Sequence, residues 1–347
     1  MTVHKLFAPR RIGVCGSSRG LPREAVPFCE GVGRRLAQEP YAVIVSGGSK
    51  RRSGAAEGDL AADWYIVSAA ERDLPPDMVT ERIETVFSEE RSTTEQFDLG
   101  SSKWARGKTS QARRFAFVRI VDALFAVGGG SGTAQELALA TELGVPVLPA
   151  PLFGGTAKEV WVAYRNELLK DLGLDEPTAR RWEESGQADP EQLRKLGSEM
   201  VEALLDRLPR RCFVIMPFAA DFTALYDFVI EPAIRVTGHE PIRLDRAAVP
   251  GDVGMQIHEG IRACDYAIAV LDGFRANVLY ELGLAHGRDK PTILISHGPL
   301  TDETFSVFDL SMHQRLEYHT LEAGLVKRLQ AAIEALPAHQ AVMAKAG

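Results

Sequence analysis

The stretch DALFAVGGGSGTAQELALA, residues 122–140, shows how the first half of the chain is built. Its short apolar run ALFAV indicates a β-strand. A glycine-rich loop follows, and the alanine- and leucine-rich segment after it has the composition of a helix. A strand, a glycine loop and a helix in this order predict part of a βαβ unit and therefore a parallel sheet.

The same order recurs along both halves of the chain. In the first half the predicted strands are RIGVC, YAVIV, IETVFS, ALFAV and VPVLPA, at residues 11–15, 41–45, 83–88, 123–127 and 145–150. In the second half they are RCFVIMPF, PIRLD, YAIAVLD and PTILIS, at residues 211–218, 241–245, 266–272 and 291–296. Helical patterns separate these strands. We therefore expect an α/β protein with two Rossmann-like or flavodoxin-like parallel-sheet domains in tandem.

A charged, mostly helical segment separates the two series of strands. It covers residues 157–208 and is broken at Pro177 and Pro190. With 347 residues, the chain is too long for one typical core. We therefore divide it into residues 1–205, a domain that ends in the connecting helices, and residues 206–347, a second domain.

Composition and charge narrow the classes of function. The net charge is -7 and the isoelectric point is about 5.7, so we expect neither nucleic acid nor a membrane surface as a partner. No apolar run reaches the roughly 18 residues that a membrane span needs. The four cysteines form no CxxC pair, and no His/Cys cluster has metal-ligand spacing. We expect no metal site and a reduced, cytoplasmic protein.

Small residues follow three of the predicted strands in the first half. In an open parallel sheet the ligand crevice lies outside the carboxyl ends of the strands. Small residues there let a phosphate approach the backbone N–H groups of the next helix. We therefore expect a nucleotide or another phosphorylated ligand at this edge, with tight turns that bind nothing as the alternative. The candidate residues are Gly16, Ser17, Ser18, Gly47, Gly48, Ser49, Gly129, Gly130, Gly132 and Thr133.

Charged residues accompany the third glycine loop. Glu136 follows it within the predicted helix, and Arg113 and Arg114 precede it. A carboxylate near a helix start is also favoured by the helix dipole. The arginines also fit a solvated helix face. Direct ligand contact and these structural roles are therefore both open.

The motifs IGVCGSS, VSGGS and DALFAVGGGSGTAQELALA, followed by VPVLPAPLFGGTAKEVW, resemble the SLOG superfamily over roughly residues 10–170. That superfamily includes the DprA-like proteins and the LOG enzymes. In LOG enzymes the glutamate of a PGGxGTxxE motif works with an upstream arginine to hydrolyse a nucleoside-monophosphate glycosidic bond. The resemblance assigns these roles to Glu136 and to Arg113 or Arg114, whereas Gly128 replaces the LOG proline.

The ending LPAPLFGGTAKEVW is similar to one branch of that superfamily. Members of this branch are fused to sirtuin-type or TIR effectors in bacterial antiphage systems. The resemblance implies that the first domain senses a NAD-derived signal, such as a cyclic ADP-ribose-type nucleotide.

A single carboxylate interrupts the apolar stretch NVLYELGLAHG, residues 277–287, in the second half. Helical spacing places Tyr280, Leu284 and Gly287 on one side of this predicted helix and Glu281 at the border of that side. The helix follows the strand YAIAVLD, so Glu281 is expected at the ligand edge of the sheet. A charge that merely favours the helix dipole is the alternative.

The ordered series RCFVIMPF, YDFVIEPAI, PIRLD, IHEGIRACDYAIAVLDG, NVLYELGLAHGRDKPTILIS and FDLSMHQRLEY covers residues 211 to about 320. It resembles the nucleoside 2-deoxyribosyltransferase-like and TIR-like group. In that group the glutamate of an NPNVxYELGxAH pattern attacks or stabilises the anomeric carbon of a nucleoside. The resemblance implies that Glu281 is catalytic and that Asp272 and Asn277 lie at the substrate.

Two further residues are candidates for substrate binding. Phe218 is expected either to stack on a base or to lie in the core, and Asp252 either to bind ribose hydroxyls or to be solvated. Breaking an N-glycosidic bond creates a cationic centre that a carboxylate can attack or stabilise. NAD is expected as the substrate, and no cofactor is expected.

The two resemblances together imply an antiphage effector. Its first domain would sense a small nucleotide, and its second domain would hydrolyse NAD, in a homo-oligomer. One alternative is that the second domain is a deoxyribosyltransferase or N-glycosidase of nucleotide metabolism. A separate alternative is LOG-type hydrolysis at Glu136 in the first domain. Another alternative is a signalling module that binds nucleotides without catalysis.

Overall fold

The computed structural model describes residues 9–17, 21–39, 42–48, 60–88, 99–244, 252–298 and 315–336. The chain splits into two compact units, one of which is Pro9–Leu208 and the other of which contains the chain from Pro209 onward. The sequence predicts this division after residue 205, whereas the first compact unit ends at Leu208. Within the described ranges, no helix is both long and apolar enough to cross a membrane.

The first unit is built on a six-stranded parallel sheet. Its strands are β1 (Arg10–Gly16), β2 (Ala42–Ser46), β3 (Ile83–Ser88), β4 (Ser101–Ala105), β5 (Ala123–Val127) and β6 (Val147–Pro149). They lie side by side in the order β4-β3-β2-β1-β5-β6. The chain winds outward from β1 in one direction and then returns to β5 on the other side. The carboxyl ends of β1 and β5 therefore flank the topological switch point, where open α/β sheets bind ligands.

Helices flank this sheet. They are α1 (Ala25–Gln38), α2 (Ala62–Asp73), α3 (Val79–Arg82), α4 (Ser110–Val118), α5 (Ser131–Glu142), α6 (Gly155–Ala163), α7 (Arg165–Leu172), α8 (Glu176–Glu184) and α9 (Pro190–Leu205). Pro177 and Pro190, predicted as breaks, lie in the first turns of α8 and α9. Proline is tolerated there because these N–H groups have no partner within the helix.

The last helix of the first unit packs closely on the first. A Cβ at Gly31 would lie 2.0 Å from the carbonyl oxygen of Arg194, and a Cβ at Gly197 would lie 2.3 Å from that of Phe28. Glycine at both positions lets the backbones of α1 and α9 approach. An ion pair between Arg35 and Glu202, at 3.0 Å, joins the same two helices. Helix α9 is therefore an integral part of the first unit.

The second unit is built on a five-stranded parallel sheet in the order β11-β10-β9-β7-β8. Its strands are β7 (Arg211–Ile215), β8 (Glu240–Ile242), β9 (Tyr266–Val270), β10 (Thr292–His297) and β11 (Arg315–Tyr318). Its helices are α10 (Thr223–Leu225), α11 (Glu231–Val236), α12 (Val253–Ala263), α13 (Ala276–His286) and α14 (Ala323–Glu334), with a π-helical turn at Tyr226–Ile230. Helices α10, α11 and α14 share one apolar cluster, and α12 and α13 share another.

The predicted fold class, two parallel α/β sheets, is confirmed. Strand β4 was not predicted, because SSKWA lies at the edge of the sheet and three of its five residues are exposed. Strand β8 is three residues long and ends at Ile242, so the predicted strand PIRLD was too long at its carboxyl end.

Candidate functional site

The loops after β1 and β5 meet at the switch point of the first sheet. The N–H of Ser17 donates to the carbonyl of Val127 at 3.1 Å, and the hydroxyl of Thr133 donates to the carbonyl of Gly16 at 3.3 Å. A Cβ at Gly16 would lie 2.3 Å from the Val127 oxygen, so a side chain there would separate the two loops. The sequence therefore needs glycine at the point where the two loops join.

The third glycine loop adopts a backbone that favours glycine. Gly128 and Gly129 have φ angles of 64° and 96°, in the region that other residues rarely adopt. Their carbonyl oxygens accept hydrogen bonds from Ala157 and Thr156 in the first turn of α6. Gly130 then precedes α5, whose N-terminus carries backbone N–H groups that have no partner within the helix. The loop therefore brings these N–H groups to the carboxyl edge of the sheet.

A buried ion pair lies beside these loops. Nη2 of Arg113 is 3.0 Å from Oε1 of Glu136, and both side chains are largely buried. Desolvation raises the pKa of Glu136, and the two neighbouring arginines, Arg113 foremost, oppose that rise. Arg114 instead donates to Gln135 at 2.9 Å. Of the two arginines left open by the sequence, Arg113 is therefore the one paired with the glutamate.

The second amino group of Arg113 faces the loop after β2. A Cβ at Gly47 would lie 2.0 Å from Nη1 of Arg113, so the guanidinium occupies the space that a side chain would take. This Nη1 is buried and has no hydrogen-bond partner among the described residues. An acceptor from a ligand would satisfy it. Gly48, with φ of 71°, donates its N–H to the Ser46 hydroxyl at 3.2 Å and shapes the same loop.

The structure adds Asp63, which sequence reasoning missed. Asp63 lies in the first turn of α2, is 5% exposed and accepts a hydrogen bond from the N–H of Gly47. Desolvation, followed by the charge of Glu136, raises the pKa of Asp63 to about 7. The thiol of Cys15, at the end of β1, donates to Glu136. The predicted Ser18 and Ser49 lie outside the described residues.

In the second unit, Glu281 lies on the buried face of α13. It is 7% exposed and shares that face with Val278, Leu282 and Ala285. The predicted face was wrong: Tyr280 is 60% exposed, so Glu281 lies within the buried side rather than at its border. Desolvation raises the pKa of Glu281 to about 7. Within the described ranges, its carboxylate has neither a hydrogen bond nor an ion pair.

The two other predicted acids have partners within the protein. Asp272, just after β9, accepts hydrogen bonds from the N–H of His297 at 2.6 Å and from the hydroxyl of Tyr318. It thereby joins the carboxyl ends of β10 and β11. Asp252 caps α12 by accepting from the N–H groups of Gly254 at 2.8 Å and Met255 at 3.2 Å. These contacts give both carboxylates structural roles at the same edge of the sheet.

Two predicted residues of the second unit are exposed. Asn277 lies in the first turn of α13, and Phe218, which follows β7, is 54% exposed. Of the two roles considered for Phe218, a place in the core is excluded. The exposed Tyr280 contributes a contact that sequence reasoning missed, because its hydroxyl is 3.0 Å from Nε2 of His258 on α12.

Across the part of the chain that the structure describes, no three His, Cys, Asp or Glu side chains group as metal ligands would. No protein-family model matches the chain, and no curated protein matches it.

Several solved structures are similar to part of the chain. The molybdenum cofactor binding protein from Rippkaea orientalis is 19% identical, with 46% of this chain and 86% of that chain covered and a TM-score of 0.34. A CMP N-glycosidase from Clostridium botulinum is 18% identical, with 37% and 100% covered and a TM-score of 0.28. DNA processing protein A from Helicobacter pylori is 20% identical, with 47% and 81% covered and a TM-score of 0.30.

Proposed function

We propose that the second unit hydrolyses the nicotinamide N-glycosidic bond of NAD with Glu281 as the catalytic carboxylate. We propose that the first unit binds the nucleotide-derived signal that controls this activity. The observation that carries the proposal is the environment of Glu281, which is 7% exposed and has no polar partner among the described residues.

A buried carboxylate without a partner destabilises its own folded state. Ionisation in an apolar environment costs free energy, and this is why the pKa of Glu281 rises to about 7. A leucine or methionine at this position would avoid the cost. Acids with strongly shifted pKa values cluster at catalytic sites, and the start of α13 lies at the ligand edge of the sheet. A catalytic role accounts for both the residue type and its position.

The reaction suits one carboxylate. The bond between C1′ of the ribose and the nicotinamide nitrogen breaks, and its electron pair leaves with nicotinamide. Glu281 either stabilises the positive charge that develops at C1′ or bonds to C1′. A water oxygen then bonds to C1′, a proton is released, and ADP-ribose forms. Nicotinamide leaves from a cationic form, so its departure needs little acid catalysis. Burial strengthens the attraction between carboxylate and cation.

The geometry of the first unit supports a nucleotide-binding role, which is the role that the resemblance to the SLOG superfamily implies. Its glycine loops leave backbone N–H groups at the switch point, and Arg113 lies beside them with one amino group in need of an acceptor. We propose that a cyclic ADP-ribose-type nucleotide binds there and promotes homo-oligomerisation. In the bacterial cytoplasm, the resulting loss of NAD would act as an antiphage response.

The test is nicotinamide release by the purified full chain, with and without cyclic ADP-ribose-type nucleotides. Glu281→Gln preserves the size of the side chain and should lower the rate at least about a hundredfold, as expected for loss of a catalytic carboxylate. Glu334→Gln makes the same change on the exposed end of α14 and should leave the rate unchanged. Full activity of the Glu281→Gln variant would overturn the assignment. Base exchange on deoxynucleosides without nicotinamide release would favour deoxyribosyl transfer.

A further inference from the structure

Asp63 is a buried carboxylate to which the proposed function assigns no role. It lies in the first turn of α2, where an aspartate is common because its negative charge is stabilised by the helix dipole. Such residues are mostly exposed, whereas Asp63 is 5% exposed. The helix dipole alone therefore does not explain why this aspartate is buried among glycine loops.

Three charged side chains from three helices converge on the loop after β2. Asp63 of α2 accepts from the N–H of Gly47, and Nη1 of Arg113 of α4 fills the space over the Gly47 α-carbon. Nη2 of the same arginine is 3.0 Å from Glu136 of α5. The guanidinium of Arg113 is therefore paired with Glu136, and its positive charge also acts on Asp63. The positive charge of Arg113 opposes the rise in pKa of both acids. The negative charge of Glu136 raises the pKa of Asp63 further.

This arrangement restricts what can bind beside it. A phosphate placed directly against both carboxylates would be repelled, and an apolar group would leave Nη1 of Arg113 without an acceptor. A pair of neighbouring hydroxyl groups fits, because a hydroxyl can donate to a carboxylate and accept from a guanidinium at once. The glycine loops at the same sheet edge suit a phosphate. A ribose phosphate combines the two requirements in one molecule.

We propose that Asp63 is a ligand-binding residue of the first unit, and that Asp63 and Glu136 recognise the vicinal hydroxyls of a ribose whose phosphate lies on the glycine loops. The inference rests on the proposed nucleotide-binding role of this unit. It does not depend on whether the second unit cleaves NAD, since binding and nicotinamide release are measured separately.

The test is calorimetric binding of AMP, ADP-ribose and ribose 5-phosphate to the full chain, each beside its 2′-deoxy counterpart. The Glu281→Gln chain is used, so that cleavage by the second unit is at least about a hundredfold slower. At least one ribose phosphate should bind tenfold or more tightly than its deoxy counterpart. This comparison of ribose and deoxyribose ligands uses a chain in which Asp63 is unchanged. It therefore shows whether the unit prefers a ribose phosphate even if an Asp63 variant fails to fold. Failure of every ribose phosphate to bind, or equal binding of both forms, would overturn the proposal.

Variants of the chain then test whether Asp63 is the residue that distinguishes ribose from deoxyribose. Asp63→Asn should lower the affinity for the ribose form at least tenfold, to that of the deoxy form. Asp73→Asn, the same change at the exposed end of α2, should have no effect. Arg113→Gln should abolish binding, whereas binding that persists in this variant would show that the ligand lies elsewhere and would refute the assignment. Discrimination retained by a folded Asp63→Asn chain would also refute it.

Discussion

Replacing Glu281 by glutamine should stabilise the second unit while it abolishes catalysis. Burial raises the pKa of Glu281 from 4.5 to about 7. Each tenfold change in acid dissociation corresponds to roughly 1.4 kcal/mol, so the ionised carboxylate should destabilise the folded state by about 3 kcal/mol. Because the pKa is higher in the folded state, this destabilisation is absent at low pH and grows as pH rises from 4.5 to about 7.

The direction of this pKa shift determines the expected result. Glutamine resembles the protonated acid, so Glu281→Gln should raise the free energy of unfolding by roughly 3 kcal/mol near pH 8 and by less than about 1 kcal/mol near pH 5. The measurement is urea unfolding followed by far-ultraviolet circular dichroism at both pH values. Glu334→Gln should show no such pH-dependent difference. A Glu281→Gln chain that is no more stable than the parent near pH 8 would refute the burial argument.

The chain offers a built-in reference for this measurement. All four tryptophans belong to the first unit. They are Trp64, Trp104, Trp161 and Trp182. Tryptophan fluorescence therefore follows the unfolding of the first unit, and Glu281→Gln should move the circular dichroism transition more than the fluorescence transition.

Three further predictions concern activity and stability. For NAD cleavage, kcat/KM should fall about tenfold per pH unit below roughly pH 7, because Glu281 acts in its ionised form, and it should level off above that pH in a pH–rate profile. Gly47→Ala should displace the Arg113 guanidinium and weaken nucleotide binding at least tenfold by calorimetry, whereas Gly186→Ala, where a Cβ meets only Leu152 at 3.6 Å, should not. Asp252→Ala should remove the cap of α12 and destabilise the second unit by about 1 kcal/mol in urea unfolding, and an unchanged midpoint would contradict the capping role.

The glycine loops were predictable from sequence because the pattern that defines them lies within a few consecutive residues. A strand that ends in small residues and leads into a helix defines its own position at the sheet edge, and the loops at Gly16 and Gly128 meet there as expected. Asp63 was not predictable. It lies 16 positions after Gly47 in the numbering, and it reaches this loop only because α2 folds back against the end of β2.

The orientation of α13 depends on packing in the same way. Helical spacing shows which residues share a side, but two sides of this helix carry apolar residues. The sheet packs on the side of Val278 and Leu282, and Tyr280 turns outward to His258. The presence of one acid in an apolar helix was therefore visible from sequence, whereas its burial depends on the neighbouring layer of the sheet.

The close approach of α1 and α9 decides how the first unit can be produced on its own. A fragment that stopped before Pro190 would lack α9, and the glycine face of α1 at Gly31 would be open to water or to another chain. Loss of α9 would also remove Glu202, which forms an ion pair with Arg35 of α1. Ligand-binding studies on an isolated first unit should therefore use a fragment that extends through Leu208, since a shorter one is expected to aggregate before it binds anything.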